Sequence, residues 1–374
     1  MNIAQVESPN RHNEAGSTEN TVKSAERTSP KIQTYYPWFD WLRIVLAMTV
    51  VLVHDKVIRW HNAANLAVQV FFALSGWLIG GILLETKVGG VPRFYFNRVT
   101  RIWIPYGLAL GLLLTVSAFR DTITPKYLEF VFYKITFVYN LFGTSQLSIA
   151  EFMPLHGTGN HFWSICAEEQ FYLLSPLLLV VAPRRIGRSV VLWGAIAICA
   201  VAFDVYGAIS VGVFATILRK QFGGWHKTLV AKVVLALLAA GATATLYLDT
   251  LPYEYVAPIL SISVVLLLAG EGRKSTVGGF LGGVSYPLYL NQWVGVFAAH
   301  YLLGRFGMRE SILAKILATT MSLAFASFLY VVVDTQVLTR RSAWYTRRLG
   351  WSLASAGYAL ILIGVVGGVM LTRH

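Results

Sequence analysis

Charged residues are scarce in this sequence. Asp, Glu, Lys and Arg make up 13% of its 374 residues, whereas 56% are hydrophobic and 13% are aromatic. A soluble domain carries about 25% charged residues, so the composition excludes an ordinary soluble enzyme. Apolar runs of about 17–25 residues recur along the chain, and each is long enough to cross about 30 Å of hydrocarbon. The sequence therefore predicts an all-α polytopic integral membrane protein.

Cysteine is also scarce, and the N-terminus has no apolar core. Cys166 and Cys199 both fall inside predicted spans, which indicates neither a disulfide framework nor a metal site. Residues 1–36 are polar and rich in Ser, Glu, Asn and Thr. This composition predicts a disordered cytoplasmic tail and not a signal peptide.

The apolar runs predict a bundle of about ten to eleven transmembrane helices. The predicted spans are 38–57, 64–84, 101–118, 161–182, 189–206, 208–218, 228–248, 254–270, 278–303, 311–333 and 352–371. The sixth run is short, and we expect it to be tilted or half-inserted. We assign residues 37–340 to the membrane domain and residues 341–374 to a basic loop with an additional transmembrane helix.

The net charge of +13 has a topological explanation. If the N-terminus is cytoplasmic, most Lys and Arg residues fall in the inside connections, as the positive-inside rule requires. The excess of basic residues is therefore explained by a lipid bilayer as partner, and no nucleic acid is expected to bind. The long outside connection, residues 119–160, is rich in aromatic and aliphatic residues. We expect it to form an amphipathic or re-entrant piece at the membrane surface.

The first predicted span carries Arg43 and His54, which are eleven residues apart. Eleven residues are almost three helical turns, so both side chains share one face, about 16 Å apart along the axis. Ionisable residues inside a span are costly and indicate a functional site. The alternative is that Arg43 extends to the inner interface and His54 caps the helix.

The fourth span begins HFWSICAEEQFYLLSP. His161, Ser164 and Glu168 follow at intervals of three and four residues, which predicts one polar stripe. Two adjacent carboxylates at membrane depth need a cation or a proton, and Arg43 or a buried histidine would supply it. For Glu169, pairing with a neighbouring helix is the simpler interpretation.

Two further segments carry polar residues at helical spacing. Arg98 and Arg101 are one turn apart, so they would grip a phosphate together, although basic residues at an inner helix end also follow from topology alone. Ser285, Tyr289 and Gln292 share a face of the span 278–303. Such groups line a cavity or join helices by hydrogen bonds.

These segments, in this order and spacing, resemble the membrane acyltransferase-3 family. The matching pieces are Arg43 with ten intervening residues before His54, FFALSGWLIGG at 71–81, Arg98-x-x-Arg101 followed by Pro105, FWSICAEEQFYLLSP at 162–176 and SYPLYL at 285–290. The resemblance covers about residues 38–340. The family often has a histidine where this chain has Gln292, which puts a second base at that position in doubt, and Asp334 stands where the family has an acidic residue.

The resemblance implies an O-acyltransferase of the bacterial cytoplasmic (inner) membrane. It implies acyl-CoA as donor, acetyl-CoA or succinyl-CoA, and a sugar hydroxyl of an exopolysaccharide, O-antigen or lipid-linked oligosaccharide as acceptor, with polysaccharide assembly machinery as a further partner. His54 would act as general base or as acyl carrier. Asp55 or Glu168 would orient His54.

The same comparison assigns the remaining polar residues. Ser164, Tyr289 or Asn291 would donate to the oxyanion, while His161 and Ser285 would line the cavity. Arg43, Arg98 and Arg101 would bind the donor, and no metal is expected. The rival interpretation is a transporter or channel, which also requires buried polar residues. A structural or flippase-like partner of a polysaccharide assembly complex is a third.

Overall fold

The computed structural model describes residues 35–372, which form a helical bundle with no β-strand. Residues 1–34, which hold nearly all of the predicted tail, and residues 373–374 lie outside the described residues. The α-helices are α1 Pro37–His54, α2 Ala63–Glu85, α3 Val91–Ala118, α4 Pro125–Ile135, α5 Tyr139–Phe142, α6 Trp163–Pro176, α7 Arg184–Gly187, α8 Val190–Ala202, α9 Gly207–Phe222, α10 Leu229–Leu248, α11 Tyr253–Leu268, α12 Thr276–Gly304, α13 Ile312–Leu329, α14 Thr335–Trp344 and α15 Arg347–Thr372.

Each of the predicted spans coincides with a helix. Within residues 35–372, seven segments are long and apolar enough to cross a membrane: Pro37–His54, Ala63–Glu85, Val88–Ala118, Asn160–Val181, Leu229–Leu248, Ile312–Trp344 and Arg347–Thr372. The other predicted spans fall on α8, α9, α11 and α12, of which α8 and α11 are shorter apolar helices. The chain is a multi-pass membrane protein, and a total of ten to eleven spans stays a prediction.

Several helix boundaries differ from the predicted ones, and three of these differences extend a helix beyond its predicted span. α3 begins at Val91 instead of 101 because Pro92 starts a helix that continues through the polar residues before the apolar run. α9 extends to sixteen residues, beyond the predicted 208–218. α13 continues past its apolar run, through a π-helical turn at Tyr330–Asp334, into α14.

Hydroxyl side chains fix the first turn of several helices. Thr124, Ser189, Thr228, Ser275 and Ser311 each accept a hydrogen bond from the backbone N–H three residues later. These bonds satisfy donors that the first turn leaves unpaired. The starts of α4, α8, α10, α12 and α13 are therefore set by local sequence.

Glycines allow α2 and α9 to approach closely. A Cβ on Gly76 would lie 2.1 Å from the carbonyl oxygen of Ile209, and one on Gly212 would lie 2.3 Å from that of Ala73. Small residues at such crossings are typical of membrane helices, which associate by close packing. This contact fixes the rotation of α2 and hence the direction in which Ser75 points.

α12 is the central element of the site because it packs against both α1 and α13. Ala47 and Val51 of α1, Val284 and Leu288 of α12 and Ala326 of α13 form one buried apolar cluster. The polar residues of α1 and α12 therefore meet at the edge of this cluster.

The long connection at 119–160, which was predicted to lie outside, is packed against the bundle. Tyr127, Phe130 and Tyr133 of α4 are buried. α15 lies against the residues that follow α4, where a Cβ on Gly364 would fall 2.6 Å from Thr136 Oγ1. Phe130 and Tyr133 of this segment thus belong to the core of the bundle, and its position at the membrane surface stays a prediction.

The bundle has two chemically distinct ends. At the end that we call the basic end, Arg188 donates to the carbonyl of Leu84 at 2.7 Å, Arg219 pairs with Glu271 at 3.1 Å and Lys220 pairs with Glu85. The opposite end, which holds His54, His161 and His300, we call the histidine end. α1 runs from the first to the second, since Arg219 of the basic end donates to Tyr36, just before α1, and His54 is the last residue of α1.

Candidate active site

His54 and His161 lie beside each other at the histidine end. Their ring centroids are 5.9 Å apart, and the ring of Tyr289 lies 5.3 Å from that of His161. His161 is buried, whereas His54 is exposed. The last turn of α1, the 3₁₀ turn Asn160–Phe162 and α12 therefore bring together three residues that the sequence predicted as site residues, with His54 the accessible one.

Gln292 is the partner of His54. Its Oε1 lies 3.2 Å from His54 Nδ1, and its Nε2 donates to the carbonyl of Tyr289 at 3.4 Å. Because the amide nitrogen faces that carbonyl, the amide oxygen faces the imidazole and accepts the Nδ1 proton. His54 Nε2 is then the basic nitrogen, free to take a proton from a substrate. Sequence reasoning treated Gln292 as a lost base, whereas the structure makes it the orienting group.

Neither carboxylate that was expected to orient His54 does so. The Asp55 carboxylate is fully buried and lies 3.0 Å from His300 Nε2. Glu168 accepts a hydrogen bond from Ser75 at 2.5 Å, and Ser75 in turn accepts from Tyr172 at 3.3 Å. The prediction failed because it considered only the position of each carboxylate along the chain. The partner of Asp55 lies on α12, and that of Glu168 lies on α2.

Ser164 and Tyr289 are joined to the backbone of His161. The hydroxyls lie 2.7 Å apart, and each is also within hydrogen-bond distance of the His161 carbonyl, at 3.2 Å for Ser164 and 2.9 Å for Tyr289. Each hydroxyl has one proton to donate, so both protons are used inside this triangle. The arrangement fixes His161 against α12, and an oxyanion role would require one of these bonds to open.

Lys134 was missed by sequence reasoning. It is buried in α4, its Nζ donates to the carbonyl of Gly159 at 2.9 Å, and it lies 3.3 Å from the ring centroid of Tyr139. Tyr139 in turn donates to Asn160 Oδ1 at 2.8 Å. Burial lowers the pKa of Lys134 to about 7. These two side chains hold the backbone immediately before His161, and the only sequence signal was a lysine inside the aromatic run FVFYKITF.

Glu169 has a structural partner. Its Oε1 accepts from Trp103 Nε1 at 2.9 Å, so it joins α6 to α3 as the simpler interpretation of the sequence proposed. Ser285 donates to the carbonyl of Gly282, and Asn291 donates to that of Pro287. Both side chains are buried and hydrogen-bond to carbonyls of α12 itself, although Asn291 Oδ1 has no hydrogen-bond partner.

A cavity of about 180 Å³ lies at the basic end. Its charged and phenolic lining residues are Tyr35, Asp40, Arg43, Arg101, Lys274, Tyr286, Tyr330 and Asp334. Arg43 pairs with Asp40 at 3.2 Å and not with Glu168. No hydrogen bond or ion pair of Arg101 or Lys274 occurs in the described part of the chain, and both residues are exposed. In this lining Asp334 opposes Arg101 and Lys274, so the cavity carries a net positive charge.

Arg98 does not join Arg101 in this lining. Its guanidinium lies 5.7 Å from the ring centroid of Phe94 and 5.9 Å from that of Tyr172, and its Nε is buried without a hydrogen-bond partner. Although the two arginines are one turn apart, their side chains lie in different surroundings. The cavity lining contains Arg43 and Arg101, on different helices, and not the expected pair of Arg98 and Arg101.

Together these observations describe a multi-pass helical membrane protein with an accessible histidine at one end and a basic cavity at the other. The acyltransferase-3 family model, described as an acyltransferase domain, matches residues 36–333. The chain belongs to this family. The family match favours the enzyme interpretation over the transporter or channel.

Individual relatives agree with this assignment. The chain is 26% identical over 229 residues to a Staphylococcus aureus (strain COL) protein named as an O-acetyltransferase, a match that covers 56% of this chain and 36% of the relative. It thus spans about a third of that protein's length. It is 23% identical over 352 residues to a protein of Komagataeibacter xylinus named as the membrane-bound transacylase BcsY, with 88% of each chain covered.

A third relative has a more specific name. A Bacillus subtilis (strain 168) protein named as a peptidoglycan O-acetyltransferase, YrhL, is 28% identical over 166 residues, which cover 39% of this chain and 24% of that one. No solved structure matches the chain significantly.

Proposed function

We propose that this protein transfers an acyl group, acetyl or succinyl, from cytoplasmic acyl-CoA to a sugar hydroxyl of a bacterial glycan or glycolipid. The observation that carries the proposal is the exposed His54, held by Gln292 with its Nε2 free, in a chain of an acyltransferase family. The basic end would face the cytoplasm of a bacterial inner membrane, which agrees with the positive-inside rule.

The basic cavity would receive the phosphates of the coenzyme. Arg101 and Lys274 are exposed cations, and Arg43 lies beside them in the same lining. Guanidinium groups bind phosphate through paired N–H donors. A donor held there has its flexible thioester arm free to extend along α1 towards His54, about 16 Å away along the helix axis.

At the histidine end, His54 Nε2 would take the proton of the sugar hydroxyl as its oxygen attacks the thioester carbonyl. The tetrahedral intermediate then expels the CoA thiolate, which recovers the proton from the imidazolium. In the alternative route, His54 Nε2 attacks the thioester carbonyl and expels the CoA thiolate; the sugar hydroxyl then attacks the acyl-imidazole, the N–C bond breaks, and the hydroxyl proton goes to the thiolate. Both routes require the same nitrogen, and Gln292 supplies its orientation in both.

The test is acyl transfer from radiolabelled acetyl-CoA, added outside, in inverted membrane vesicles whose lumen is loaded with a glycan extract, so that the donor reaches the basic end and the acceptor reaches His54. The wild-type chain is compared with His54→Asn and with the control His156→Asn. His156 is exposed at the same end, and its left-handed backbone, with φ of 51°, tolerates Asn. Succinyl-CoA is tested in parallel.

We expect labelled glycan from the wild type and His156→Asn, and a loss of about 10²–10⁴-fold with His54→Asn at equal protein level. Equal transfer by all three chains would overturn the role of His54. Absence of transfer from both donors, in vesicles where the wild-type chain is folded, would overturn the acyl-CoA proposal.

A further inference from the structure

A basic groove opens at the histidine end beside the end of α1. Its volume is about 470 Å³, and it begins at Val53, the residue before His54. The polar and aromatic lining residues are Lys56, Arg59, Trp60, His61, Glu310 and Lys315. None of these residues belongs to the candidate active site described above.

The charge of this groove is not balanced. Lys56, Arg59 and Lys315 face a single carboxylate, Glu310. Lys315 donates to the backbone carbonyl of Lys56 at 3.3 Å, which orients its ammonium without neutralising it. Arg59 is exposed and makes no hydrogen bond or ion pair with any residue in 35–372. The buried carboxylate of Asp55, which does not line the groove, contacts His300 and interacts electrostatically with Lys315, so two carboxylates oppose the three cations and the groove keeps a net positive charge.

The backbone that forms the groove is fixed relative to His54. Lys56 adopts a left-handed conformation, with φ of 56°, that a residue with a side chain rarely occupies. Hydrogen bonds hold it there, since Asp55 N donates to Val51 O at 3.0 Å and Val57 N donates to Leu52 O at 2.8 Å. A ligand in the groove would therefore be held at a constant distance from the imidazole. Such strained positions recur at binding sites.

One wall of the groove is aromatic. Trp60 is half-buried and packs on the apolar cluster of α10 and α11 that includes Leu246 and Val256. A rigid indole beside a few charged groups suits an amphipathic ligand such as a sugar ring better than a free inorganic ion.

We propose that this groove binds an anionic saccharide, recognised by its carboxylate or phosphate through Arg59 and Lys315, with a sugar ring against Trp60. This inference rests on the proposed function because it makes the groove the binding site for the acceptor next to the reacting hydroxyl. It adds the chemical class of the acceptor, which is negatively charged.

The test is direct binding, without acyl donor, to the full chain in nanodiscs of neutral phosphatidylcholine. The probes are a tetrasaccharide of alternating glucuronate and N-acetylglucosamine, the neutral N-acetylglucosamine tetrasaccharide, and inorganic phosphate. The variants are Arg59→Ser and Lys315→Ser. Arg120→Ser, which removes an exposed arginine at the same end but outside the groove, is the matched control. Equal thermal midpoints verify that all chains are folded.

We expect the uronate tetrasaccharide to bind about tenfold more tightly than the neutral one, and either groove variant to weaken it about tenfold. Arg120→Ser should bind like the wild type, and added salt should weaken binding. Equal binding of charged and neutral probes, or no effect of both groove variants, would overturn the proposal. Phosphate binding as tightly as the tetrasaccharide would show an anion site without saccharide recognition and would also overturn it.

This result is separable from that of the transfer assay. If the chain transfers acetyl groups but its groove binds the charged and neutral probes equally, the groove proposal is wrong and the proposed function stands. Selective binding by a chain that transfers no acyl group from either donor would remove the proposed function and keep the groove.

Discussion

The two ends of the bundle differ in how their polar groups are satisfied. At the histidine end, His54 meets Gln292, and His161, Ser164 and Tyr289 are joined in a closed set of hydrogen bonds. At the basic end, Arg101 and Lys274 line a cavity without such partners.

This difference suits the two tasks that we propose. A group that moves a proton must be held in one orientation, which buried hydrogen bonds provide. A site that attracts a polyanion needs net charge more than fixed geometry. Variants at the histidine end should therefore change kcat, whereas variants at the basic end should change KM for the donor.

After the loss expected from His54→Asn, the largest effect is expected from removal of the partner of His54. Gln292→Leu leaves Nδ1 without its acceptor, so kcat for glycan acetylation should fall about 10–100-fold, as for other residues that orient a functional histidine. Gln292→Glu keeps an acceptor oxygen and should lose less. Gln336→Leu, at an exposed position of α14, is the control. Unchanged kcat in Gln292→Leu would show that another group orients the imidazole.

The next effect concerns Lys134, which supports the backbone before His161. Above pH 10.5, where the lysine is neutral in both the folded and the unfolded chain, Lys134→Met removes the donor to Gly159 and should destabilise the protein by about 1–3 kcal/mol, the cost of an unpaired buried polar group. The thermal midpoint in detergent measures this. Lys126→Met on the same helix removes a partly exposed lysine paired with Glu129, and it should lower the free energy of unfolding by at most about 1 kcal/mol.

The pH dependence of stability sharpens the same prediction. The pKa of Lys134 in the folded chain is lowered to about 7, below its ordinary value of 10.5. Between these values the unfolded chain binds a proton that the folded chain does not, so stability should rise with pH across this window. Lys134→Met should lose this part of the rise, while Lys126→Met should keep it. An identical rise in both variants would contradict the buried, low-pKa lysine.

A smaller effect is expected at the basic end. Arg101→Gln should raise KM for acetyl-CoA about tenfold, the value of one charge-assisted hydrogen bond, and leave kcat nearly unchanged. Arg93→Gln, on the same helix but stacked on Tyr345, is the control. A fall in kcat at constant KM would place Arg101 with the reacting groups and would break the distinction between the two ends.

The positions of the long apolar helices could be predicted from the sequence. Every predicted span coincides with a helix because the apolar runs are a local property of the chain. The shared polar face of α1 followed from the same local geometry, with Arg43 in the second turn and His54 in the last.

The pairings between helices were not predictable from spacing. His54 and Gln292 are 238 residues apart, and Asp55 and His300 also lie on different helices. Which side chains meet depends on how each helix is rotated about its axis, and contacts such as that between Gly76 and Gly212 set this rotation. Arg98 shows the same limit, since its spacing from Arg101 is that of neighbours while its side chain packs on aromatic rings.

The smallest effect, and the only favourable one, is expected from Asp334. Its carboxylate lines the basic cavity and interacts electrostatically with Arg101, so it opposes the binding of an anionic donor. Asp334→Asn should lower KM for acetyl-CoA about two- to threefold, and added salt should reduce the difference because it screens exposed charges. Asp249→Asn, at an exposed position outside the cavity, should leave KM unchanged. A higher KM in Asp334→Asn would mean that this carboxylate positions Arg101 for the donor, and the basic end would then depend on fixed geometry as the histidine end does.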